Sequence, residues 1–126
     1  MKLALKVVLS LGGLLLVFMG FGFLTDPVAS GADFGLVVEG AHGLTSVRGD
    51  LTAFFTVSGA CFLWGAWGER RDPLIIGSAL MLVVLIVRVI SIFDYGTFEG
   101  FEAPMSVEAV LGVLGLWAAK VLPDGD

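Results

Sequence analysis

The sequence predicts an all-α fold, a membrane-embedded four-helix bundle with both termini in the cytoplasm. Three observations carry that reading. Hydrophobic residues make up 57% of the 126 residues and charged residues 15%, with a mean hydropathy of +0.98, whereas soluble domains are nearer a quarter charged. Apolar segments at 3–24, 51–67, 74–94 and 105–122 each approach the roughly 20 residues that a helix needs to cross a hydrocarbon core. With four spans, Lys2, Lys6, Arg70, Arg71 and Lys120 fall on one side and Arg48 and Arg88 on the other. The positive-inside rule then sets both termini and the 69–72 connector in the cytoplasm. The length suits one transmembrane domain over residues 1–126.

The first segment, 3–24, opens on Lys2 and Lys6. A positive start and small residues near 28–30 also describe a signal peptide. The apolar run is longer than a usual signal core and meets Asp26-Pro27, so a retained helix is expected. Residues 25–49 read as an outer loop rich in Gly, Ala and Ser. Its apolar run at 34–38 is too short to cross, and suits a short interfacial helix or a cover over the helix ends.

Asp50 is placed to cap the second span. Trp64 and Trp67 end that span, where indoles favour the membrane boundary. A tight polar connector follows, and Pro73 fits the first turn of the third helix. Residues 96–104 (GTFEGFEAP) form a short acidic loop before the fourth span, and residues 123–126 are expected in water.

The third span poses the central chemical question, because it carries Arg88. A guanidinium inside a membrane costs at least a few kcal/mol unless it reaches water or an acidic partner. At 1.5 Å per residue, Arg88 lies about 8–10 Å below the outer end of its helix, and Glu108 about 5 Å below the same face on the fourth. Glu108 shares a stripe with Gly112, Gly115 and Ala119, small residues of the kind that let membrane helices approach. Glu108 is therefore expected to point inward and pair with Arg88. Ser91 and Tyr95, three and seven residues on, share the arginine's face. Asp50 and Asp94 are expected to complete a structural ion-pair network. The candidate ligand-binding set is Arg48, Arg88, Tyr95 and Glu108, since two arginines suit a carboxylate or phosphate.

Other chemistries find no residues. Cys61 is the one cysteine, so no intrachain disulfide forms, and it reads as a small apolar side chain. His42 is the one histidine, and with Glu39 three residues away it offers too few ligands for a metal. No cofactor, nucleic-acid surface or set of acid, base and nucleophile is expected.

The sequence has an arginine–glycine pair entering the second span (Val47-Arg48-Gly49-Asp50), an Arg-Arg connector (Glu69-Arg70-Arg71), Arg88 late in the third span and Glu108 early in the fourth. In these features it resembles a bacterial family of small four-helix integral membrane proteins catalogued as a domain of unknown function. The likeness covers nearly the whole chain, although Gly49-Asp50 stands where a run of small residues is expected. It implies a four-helix fold and no particular activity; the expected location is the bacterial inner membrane.

Three functions follow as expectations. The first is a non-enzymatic accessory or scaffold subunit of an inner-membrane assembly, with other membrane subunits or copies of itself as partners. The second is a binder or carrier of a small anionic amphiphile or membrane lipid at Arg48 and Arg88. The third is a channel or proton-coupled transporter using Glu108.

Overall fold

A computed structural model describes residues 1–123; the aqueous tail expected after Pro123 lies outside the described residues. Its elements are all helices: α1 (Lys2–Thr25), α2 (Pro27–Ala32), α3 (Gly40–Trp67), α4 (Arg71–Tyr95) and α5 (Glu102–Val121). The four long helices form a ring in chain order. α1 packs most extensively on α3, α4 packs on α5 and on α3, and a smaller contact between α1 and α5 closes the ring. One end of the bundle carries Lys2, Trp67, Arg71 and Val121, and is called the terminal end here. The loop end carries Thr25, α2, the start of α3, Tyr95 and Glu102.

Three helices, α1, α4 and α5, are long and apolar enough to cross a membrane. α3 is the longest, but its first half holds His42, Arg48 and Asp50, which confine its apolar run to 51–67. Glycines set how closely the long helices pack. A Cβ on Gly13 of α1 would lie 2.9 Å from the carbonyl oxygen of Gly59 on α3, so the two backbones touch there. Phe62, fully buried, lays its ring against Gly77 of α4 and Gly115 of α5 and so joins three helices.

The region between α1 and α3 corrects the expected outer loop at 25–49. α2 forms at its start, where the Asp26 side chain accepts from the backbone N–H of Ala29 at 3.1 Å and Pro27 opens the helix. α3 begins at Gly40, ten residues before Asp50. Asp50 is therefore an exposed residue within α3 and not its cap. The helix runs on through glycine-rich sequence because Val47 and Leu51 extend its apolar stripe onto the core, and packing outweighs propensity. The run at 34–38 forms no helix. Instead Phe34 packs over the helix ends, with its ring 5.6 Å from those of Phe23 and Phe55. α4 and α5 each start about a turn early relative to the expected 74–94 and 105–122, with Asp72 and Glu102 in their first turns, where acidic groups suit the helix dipole.

At the terminal end, α3 closes with the Arg70 N–H donating to the Gly65 carbonyl at 3.0 Å, while Glu69 takes a left-handed conformation (φ 50°). The Glu69 carboxylate pairs with Lys6 of α1 at 2.8 Å. The Lys6 ammonium also lies 5.5 Å from the Trp67 ring centroid, and the Trp67 indole N–H donates to Ser10 at 2.6 Å. These contacts fasten α1 to the turn between α3 and α4.

Candidate functional site: a cleft at the loop end over Arg88

α1 and α5 meet near their middles, where Gly12 faces the Leu111 side chain. Toward the loop end they part, and a cleft of about 720 Å³ opens between them. Phe18, Met19 and Phe23 of α1 and Val107 of α5 line it, α2 and the 33–35 turn form one lip, and residues 98–100 form the other. Arg88 of α4 borders it. A smaller space of about 90 Å³, lined by Leu16, Phe55 and Met81 among others, lies behind the same arginine.

Arg88 meets Glu108. Its Nε donates to both carboxylate oxygens, at 3.1 Å to Oε2 and closely to Oε1. The glutamate side chain is 8% exposed and the arginine side chain 27%. Pairing through Nε uses one edge of the guanidinium. Among the described residues nothing accepts from its Nη1 or Nη2 groups, so the donors best shaped for a phosphate or carboxylate remain available.

The other expected site residues lie elsewhere. Arg48 does not join the cleft: its Nε donates to the Leu24 carbonyl at 2.8 Å, in the last turn of α1. Terminal helix carbonyls lack partners and carry partial negative charge, so they hold the guanidinium. Tyr95 is 87% exposed and makes no contact with Arg88, since seven residues place it roughly 10 Å farther along the axis. Ser91 donates to the Val87 carbonyl at 2.8 Å, a local bond that satisfies its hydroxyl. Asp50 and Asp94 are exposed, and among the described residues neither forms an ion pair. The expected network thus reduces to Arg88 and Glu108.

This assignment makes Arg48 a fastening between α1 and α3. Arg48→Ala should lower the unfolding free energy in detergent by about 0.5–1 kcal/mol. An unchanged melting profile would show that the Leu24 contact contributes nothing.

Two residues at the cleft were not singled out from the sequence. Asp33, just after α2, and Glu99, in the turn between α4 and α5, are exposed acids that line it from opposite lips. Gly96 and Gly100, with φ of 87° and 81°, give the second lip its shape, and Phe98 packs edge-on against Phe101 within it. The paired glycines around Phe98-Glu99 were the available signal.

No curated protein and no solved structure matches the chain. One family model does match, over residues 4–119, from the first turn of α1 almost to the end of α5, and the chain accordingly belongs to the family described as a domain of unknown function, DUF4345.

Proposed function

We propose that this protein is a non-enzymatic inner-membrane protein of bacteria that binds an amphiphile in its loop-end cleft. In this reading all four long helices span, both termini are cytoplasmic, and the cleft opens to the outer leaflet. The observation that carries it is the pairing of Arg88 through Nε alone beside a cleft with apolar walls. The acidic group of the ligand, a phosphate or carboxylate, accepts from Nη1 and Nη2, and Phe18, Met19, Phe23 and Val107 cover its chain. Glu108 holds the guanidinium in place from the other side.

Native mass spectrometry of the protein from mild detergent tests this. Wild type should retain an amphiphile, and Arg88→Lys should lose it by about tenfold. The lysine keeps a charge for Glu108 but not the planar fork. Retention that is indifferent to this change would sink the reading.

A second reading, an accessory or scaffold subunit, rests on α4. Only 17% of its most apolar stretch is buried within the chain, the smallest share among the three helices apolar enough to span. In a larger assembly that face would meet another subunit or a second copy. The same spectra decide it, since a stoichiometric companion chain would favour this reading and a bare monomer would count against it.

A further inference from the structure

The charges around the cleft narrow the ligand, given the amphiphile reading above. Arg88 is the cation among the lining residues, and its charge is already matched by Glu108. Asp33 and Glu99 add two carboxylates at the lips, from segments that are distant in the sequence. Both are exposed, and among the described residues neither is hydrogen-bonded or ion-paired through its side chain. A ligand with only negative charge would gain the Arg88 donors but would pass two carboxylates without compensation. A ligand with only positive charge would leave the Nη donors unmatched.

We infer that the cleft takes a zwitterionic phospholipid head, with its phosphate on Arg88 and its primary amine between Asp33 and Glu99. The phosphate supplies acceptors for a planar two-pronged donor. The amine, with three N–H groups, can donate to more than one carboxylate acceptor. The order of charges, cation deep and acids at the mouth, matches the order in such a head when its acyl chains lie along the apolar wall formed by α1 and α5. The sources of negative charge are thus separated by role: Glu108 positions the arginine, while Asp33 and Glu99 face the ligand.

The test is native mass spectrometry of the full chain after exchange with an equimolar mixture of phosphatidylethanolamine and phosphatidylglycerol of the same acyl composition. Wild type should retain the ethanolamine lipid by about tenfold over the glycerol lipid. Asp33→Asn/Glu99→Gln should erase that preference while still binding lipid. Both positions are exposed, so the double variant should fold as wild type does. Equal retention of the two lipids by wild type, or a preference unchanged in the double variant, overturns the zwitterion assignment and leaves the Arg88 site standing. Retention of neither lipid by wild type, or a total lipid retention unchanged in Arg88→Lys, overturns the site itself.

Discussion

Arg88→Met should destabilise the protein by about 3 kcal/mol, because it leaves Glu108 buried without its counter-charge. The glutamate is 6% exposed as a residue and lies on the inward stripe of α5, so it has no easy path to water. Removing both charges has a different consequence. In Arg88→Met/Glu108→Met the desolvation of two ions disappears along with their attraction, and buried pairs replaced by apolar groups of similar size are often neutral. The double variant should therefore recover most of the lost stability, with a coupling of about 2 kcal/mol or more between the sites. Reversible unfolding in mixed micelles gives all the required values. Simple additivity of the two single changes would show that the contact contributes little to folding.

Gly59→Val should be nearly as damaging, at about 2–3 kcal/mol, for a steric reason. A Cβ there would press on the Gly13 carbonyl oxygen and come within 3.0 Å of the Val17 backbone nitrogen. Backbone cannot rotate aside, so α1 would have to move off α3 along their shared face. Two other glycines calibrate the effect. At Gly12 the obstruction is the Leu111 side chain, which can adopt another rotamer, so Gly12→Ala should cost less. At Gly49 nothing lies within 4 Å, and Gly49→Ala should stabilise α3 by about 0.5–1 kcal/mol. The ranking of the three melting temperatures checks the geometry of the α1–α3 interface. A Gly59→Val protein as stable as wild type would contradict that close approach.

The sequence made some of this legible and hid the rest for definable reasons. The meeting of Arg88 with Glu108 followed from helical phase: Gly112 and Gly115 mark the packed face of α5, and Glu108 lies on the same stripe. The long helices followed from apolar runs, within a few residues for α1 and α4. The start of α3 did not, because residues 40–49 include three glycines and their helical state depends on contacts made by Val47 and Leu51. Arg48 was misread for a related reason. Its partner is a backbone carbonyl in α1, which side-chain chemistry does not advertise. Asp33 and Glu99 stayed hidden because loop acids are common, and only the folded turns bring them to one opening.

The turn between α3 and α4 has a bearing on biogenesis. Only residues 68–70 separate the two helices, and the Arg70 to Gly65 hydrogen bond reverses the chain immediately. α3 carries Arg48 and Asp50 in its first half, whereas α4 is long and apolar enough to cross a membrane. In the four-span topology proposed above, the two would leave the translocation machinery as a single hairpin, with the later-made helix drawing the earlier one into the bilayer.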